Sequence, residues 1–275
     1  IMSLVSEIRI RHFVLDHIKK LNLFGNEYKR DVLGEEFRRK AEPILTTTLK
    51  NLKLINEKVD NEVILDTAEE VYLLFNNGIA SVSKDNVNLI PYKEFGKLVW
   101  KNQLIPHDFE YDESKISVFE QFSKNVCTNR IDGDLIFNQE KHNSLVSAIG
   151  YLLTRYKKGS EPKAIILTDE SIVNSEEGGT GKSLFNEGIG KVRSMLEMDG
   201  QTFDLSSKFA FSDVELYHEI INIDDCDDNF NFKNLFHSLT GAMKVEKKNQ
   251  NRFTIEANKS PKFCLSTNHV FKGVG

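Results

Sequence analysis

The sequence predicts an α/β fold built on a parallel sheet, and three observations carry that reading. Short, continuously apolar runs at Lys163-Ala-Ile-Ile-Leu167, Leu216–Ile223 and Lys262-Phe-Cys-Leu-Ser266 have the look of strands buried on both faces. Segments with helical spacing alternate with them, notably Lys141–Tyr156, where Leu145, Ile149, Leu152 and Leu153 share a face. A glycine-rich loop, Gly178-Gly-Thr-Gly-Lys-Ser183, follows the first of these strands and opens a helix over Ser183–Glu197.

Upstream of this alternation the chain reads differently. Val14, Ile18 and Leu21 follow helical spacing, as do Phe37, Ala41, Ile44, Leu45, Leu49 and Leu52, with interruptions at Gly25-Asn26 and Pro43. A β meander is predicted next: Val71–Phe75, a hairpin turn at Asn77-Gly78 requiring positive φ, then Ile79–Val82 and Val87–Ile90. Tyr92–Trp100 reads as a helix. A boundary near Tyr111–Ser114 divides the 275 residues into a smaller helical and β-rich region, 1–114, and an α/β region, 115–275. Within the latter, Phe232–Leu239 is a short helix and Lys244–Glu256 alternates as a hairpin does.

Composition narrows the class. A 40% hydrophobic and 28% charged chain can bury a globular core. No apolar run approaches the ~18 residues that a membrane span needs, so no membrane partner is expected. Three widely spaced cysteines, Cys127, Cys226 and Cys264, fit reduced thiols better than a disulfide framework or a zinc site. The net charge of −5 gives no global signal for nucleic acid, but charge is unevenly placed. Asp213–Asp228 holds seven acidic residues and no Lys or Arg, whereas Lys244–Lys262 holds six basic residues and two acidic. The chain opens on Ile1 and stops at Gly275 without a closing element, as expected of a fragment of a longer chain.

Three motifs carry chemistry. In Gly178, Gly179, Thr180, Gly181, Lys182 and Ser183 the glycines let backbone N–H groups approach phosphate, and the following helix adds its positive end. Lys182 is placed to reach β- and γ-phosphates and the Ser183 hydroxyl to sit on Mg2+. Glu176 stands where such a loop normally opens with glycine, and a chance glycine-rich turn is the plain alternative. The second motif is Ile220-Ile-Asn-Ile-Asp-Asp225, a buried strand ending in two carboxylates. Asp224 is assigned to the metal and Asp225 to the attacking water, with the two interchangeable; a solvated acidic loop is the alternative. The third is Phe263–His269, a buried strand ending in Asn268, whose amide can position lytic water if its strand lies between the other two. A turn or cap residue is the bland reading of Asn268.

In this order the motifs resemble those of the superfamily 3 helicases, within the AAA+ type P-loop NTPases. Gln201–Phe211, Leu239–Val245 and Ser147–Tyr156 look like segments of phage and plasmid primase-helicases, relatives of the poxvirus enzyme. The resemblance covers about residues 70–275. It implies ATP and Mg2+ as cofactors, Lys182, Asp225 and Asn268 as catalytic groups, and work on single-stranded or forked DNA in replication. It implies a homo-oligomer, a hexamer when the protein is full length, a possible primase domain in the same chain, and the cytoplasm of a bacterial host as location. It makes Lys244–Glu256 a hairpin whose Lys247, Lys248 and Arg252 meet DNA phosphates, a sequence-independent grip. The family's arginine finger should follow Asn268, and no arginine stands there; Arg193 and Arg252 are candidates that nothing in the sequence selects. Two other functions stay open: an AAA+ ATPase that remodels or loads proteins without touching DNA, and a non-catalytic DNA-binding module with a degenerate nucleotide loop.

Overall fold

The structure, a computed structural model, describes residues 7–21, 27–43, 63–112, 114–159, 161, 163–169, 179–248 and 252–269. Among them the chain divides into two compact units, one from residues up to Ile64 with Lys97–Lys101, the other from Leu65–Gly96 and Asn102 onward.

The first unit pairs helix α1 (Glu7–Lys20) with helix α2 (Glu27–Pro43). Ile18 and Ala41, both expected on apolar helix faces, are buried there. The predicted continuation through Ile44, Leu45, Leu49 and Leu52 lies outside the described residues. Ile64 and Leu98 join the ends of the unit through an N–H···O bond of 3.0 Å.

The second unit begins with an antiparallel meander, β1 (Glu70–Phe75), β2 (Gly78–Ser83) and β3 (Val87–Ile90). The turn falls one residue earlier than predicted, on Asn76-Asn77, and neither residue has positive φ. Gly78 is the first residue of β2, where a Cβ would lie 2.9 Å from the Ile90 carbonyl oxygen. The glycine there permits close approach and does not make the turn. The helix predicted over Tyr92–Trp100 shrinks to α3 (Tyr92–Phe95), because Gly96 at φ 68° ends it.

Helix α4 (Val118–Asn125) starts on Ser117, whose hydroxyl accepts from Glu120 N–H at 3.0 Å. Strands β4 (Thr128–Ile131) and β5 (Asp134–Phe137) form a hairpin around Asp132-Gly133, both at positive φ. Helix α5 (Gln139–Leu153) is capped by Asn138, which accepts from Lys141 N–H at 2.9 Å. The predicted single helix over Ser183–Glu197 is two elements instead: helix α6 (Lys182–Gly190) and strand β7 (Met195–Asp199). Gly188 and Gly190 weaken the helix, and parallel pairing with β8 (Ile220–Cys226) claims the rest. β8 itself starts four residues later than predicted. The residues before it are turned, with His218 Nδ1 accepting from Glu215 N–H at 3.0 Å.

With β6 (Ala164–Thr168) and β11 (Lys262–Thr267), these strands form a four-stranded parallel sheet in the order β6-β11-β8-β7. β11 thus lies between β6 and β8, as the position of Asn268 required. Alternate residues enter opposite layers of core. Ile221, Ile223, Phe263 and Leu265 pack with Leu235 of helix α7 (Phe232–Thr240) and with Met243 and Val245. Ile220 and Cys264 pack with Leu152 of α5 and Phe185 and Ile189 of α6. Both faces being covered explains why these strands read as continuous apolar runs. The hairpin predicted at Lys244–Glu256 is present as β9 (Met243–Val245) and β10 (Phe253–Ile255). None of the three cysteines forms a disulfide, and all three are buried. No helix among the described residues is long and apolar enough to cross a membrane.

Arg193 sits in a buried, hydrogen-bonded cluster. Its guanidinium bonds Asp66 Oδ2 and Glu219 Oε1, each at 2.8 Å, and the Leu153 carbonyl at 2.8 Å. Each of its three guanidinium nitrogens donates inside the fold, so Arg193 is withdrawn from the candidates for an arginine finger.

Candidate functional site

At the carboxyl ends of the parallel strands, four chain segments converge. β6 ends and delivers Asp169; α6 begins with Lys182; β8 and β11 end in Asp224-Asp225 and Asn268. Crevices beyond the carboxyl ends of parallel strands are where open α/β sheets bind ligands.

The loop before α6 is shaped by Gly179 and Gly181, at φ 105° and 97°. Only glycine takes that conformation without strain. Gly181 also lies against Phe122, whose ring would be 3.0 Å from a Cβ. Gly179, Thr180 and Ser183 are exposed and Lys182 is half-buried. Gly178 and Glu176 lie outside the described residues. Lys182 Nζ donates to Asp169 Oδ2 at 2.6 Å, to Asn268 Oδ1 at 2.7 Å and to Thr180 Oγ1 at 3.3 Å.

The β8 end is irregular for a reason. Leu265 pairs with Ile223, but two residues later Thr267 pairs with Cys226, three residues on. The extra residue is accommodated by Asp225 at φ 55°, rare for a side-chain-bearing residue. Ser266 fixes the bulge: its hydroxyl donates to Asp224 Oδ1 and accepts from Asp225 N–H at 2.9 Å. Thr267 Oγ1 closes it by donating to the Cys226 carbonyl at 2.7 Å. Asp225 is then held by Asn268 Nδ2 at 3.3 Å and by Gln201 Nε2. An unbroken chain of side-chain hydrogen bonds therefore runs Asp169–Lys182–Asn268–Asp225–Gln201.

Burial tunes the neighbours. The Cys226 thiol is pushed up to about 12 by burial and by Asp224, Asp225 and Asp227. Cys264 is likewise raised to about 12, chiefly by burial. Both remain neutral thiols and supply packing, not nucleophiles.

Lys182, Asp225 and Asn268 are thus brought together, with Asp224 beside them at the end of β8. The hairpin basic residues are not equivalent. Lys247 is turned inward, paired with Glu215 and lying 5.9 Å from the Phe253 ring, while Lys248 and Arg252 are exposed. Sequence reasoning missed Asp169, Gln201, Ser266 and Gly200. Asp169 follows an identified strand, and Gln201 opens a segment already singled out, with Gly200 just before it. Ser266 was visible only as part of a strand.

No protein-family model and no curated protein matches this chain. Among solved structures it is similar to the A form apo structure of the NrS-1 C-terminal region, at 11% identity and a TM-score of 0.32. That alignment covers 71% of this chain and 53% of the other, so the chain spans about half the length of the structure it matches.

Proposed function

We propose that this chain is a P-loop NTPase of the AAA+ type and part of a replicative DNA helicase of superfamily 3, with ATP as its nucleotide. The observation that carries the reading is the hydrogen-bonded chain joining Lys182, Asn268 and Asp225 at the carboxyl end of a parallel sheet in the order β6-β11-β8-β7.

In this reading the N–H groups of Gly178–Ser183 and the first turn of α6 hold the phosphates, and Lys182 neutralises their charge. Asp225, fixed from both sides by Asn268 and Gln201, orients the attacking water and accepts its proton, and the Asn268 amide positions that water. Ser183 and Asp224 are the residues that would hold Mg2+. A hydroxyl and a carboxylate are hard oxygen donors that suit this ion, which binds proteins through few carboxylates and leaves the other positions to water and phosphate. When bound, the ion shields developing charge on the transferred phosphoryl group.

DNA contact falls to Lys248 and Arg252 at the ends of the hairpin loop, in single-stranded or forked DNA, with a homo-oligomer, a hexamer in the full-length protein, supplying the channel. A primase domain elsewhere in the same chain, and the cytoplasm of a bacterial host, complete the proposal. The engagement of Lys247 by Glu215 favours one second reading, an ATPase that acts on proteins without holding DNA. Calorimetric titration with Mg-ADP tests the nucleotide claim: wild type binds and Lys182→Ala does not. Equal affinity in the two would sink the site assignment.

A further inference from the structure

A lysine ammonium has three N–H donors. In Lys182 each already has an acceptor: Asp169 Oδ2, Asn268 Oδ1 and Thr180 Oγ1. A phosphate oxygen can therefore reach Nζ only by displacing one of them. Asp169 is the charged member and the one that resembles phosphate. It approaches at 2.6 Å, a short charge-assisted contact, and both side chains are largely shielded, at 16% and 15% exposure. Its other oxygen, Oδ1, is buried without a hydrogen-bond partner among the described residues. The carboxylate is thus held by the cation that nucleotide needs, with the Thr180 hydroxyl beside it. Burial alone would raise its pKa, but the Lys182 ammonium and the Thr180 hydroxyl outweigh burial and hold it below the usual carboxylate range, so it stays ionised at neutral pH.

We propose that Asp169 is a built-in competitor of the phosphate ligand: it occupies the cationic position that a di- or triphosphate takes and must release Lys182 before that ligand binds. This rests on the nucleotide-binding reading above and adds an affinity-setting residue to it. The empty site is self-neutralised, which favours folding of a loop that would otherwise present an unpaired ammonium. The same pairing weakens binding, because displacement leaves a carboxylate beside an incoming polyanion.

The test is calorimetric titration of the whole chain with inorganic tripolyphosphate and with Mg-ADP, comparing wild type, Asp169→Asn and Asp169→Ser. Both variants should bind each probe about tenfold more tightly, a coupling of ~1.4 kcal/mol. If wild type binds and the variants bind no more tightly, the competitor role is overturned while the nucleotide site stands. Weaker binding in both variants also overturns it and makes Asp169 a supporting group. If none of the three proteins binds either probe, the nucleotide reading itself falls, and this inference with it.

Discussion

Gly200 offers a stringent test of how the two carboxylates are positioned. It follows β7 directly, and its N–H donates to the Asp224 carbonyl at 2.6 Å. A Cβ at this position would lie 2.6 Å from that oxygen, 2.7 Å from Cys226 N and 2.8 Å from Cys226 Cα. All three atoms are backbone on either side of the Asp225 bulge, so no side chain can swing aside. Ordinary van der Waals contact begins near 3.4 Å, so the strands must part by up to 0.8 Å or the bulge must be redrawn. β8 is held between β11 and β7 and cannot translate freely. Gly200→Ala should therefore cost ~1–3 kcal/mol, the usual range for overpacking. Urea denaturation would show this as a lower midpoint at unchanged slope. Displacement of Asp224 and Asp225 should also weaken Mg-dependent nucleotide binding more than Mg-independent binding. Stability within ~0.5 kcal/mol of wild type together with unchanged binding would overturn this view of the bulge, since that is the range of an ordinary surface substitution.

Three further outcomes follow from other parts of the molecule. Arg193→Met should destabilise the protein by ~3–5 kcal/mol in denaturant titration, because Asp66 and Glu219 lose their shared buried partner; Arg155, 3.5 Å from Glu219, offers only partial relief, and near-wild-type stability would contradict the structural role given to this arginine. Lys262 donates to the Tyr151 carbonyl at 2.6 Å in the core, where burial, with Lys157 and Arg193 nearby, lowers its pKa from 10.5 to about 7. Between those values the unfolded chain holds more protons than the folded one, so stability rises with pH across that window and falls as pH drops toward 7. Lys262→Met should flatten the rise in a pH series of denaturation midpoints, and parallel curves for the two proteins would exclude the effect. Lys248→Ala with Arg252→Ala should weaken single-stranded DNA binding and reduce its logarithmic salt slope by about 1.4, at ~0.7 for each phosphate no longer neutralised, whereas Lys247→Ala should act mainly on stability; binding that is unchanged and insensitive to salt would favour the reading without DNA.

What can be read from the sequence follows from how local each signal is. β6, β8 and β11 are legible because strands covered on both faces leave continuous apolar runs, and Lys182, Asp225 and Asn268 are legible because each ends or begins such an element. β7 is not, since Met195–Asp199 suits a helix as well as a strand until pairing with β8 decides it. The Asp132-Gly133 turn is a local signal that pattern reading missed, while Asn77-Gly78 is a signal with a different cause from the one expected: the glycine answers to Ile90 across the sheet. Asp169, Ser266 and Gln201 depend on the bulge of β8 and on the fold of Lys182 back toward β6. Those are tertiary events with no periodic signature. Lys247 marks the same limit, because charge alone cannot tell a phosphate contact from a partner for Glu215.

An experimental structure of the chain with Mg-ADP bound would decide the nucleotide site. The β-phosphate should lie against the N–H groups of Gly179–Ser183, with Lys182 Nζ moved from Asp169 onto phosphate oxygen and the metal between Ser183 and Asp224. A nucleotide seated elsewhere would contradict the proposed function, whereas Lys182 still paired with Asp169 beside an occupied site would contradict the competitor role alone.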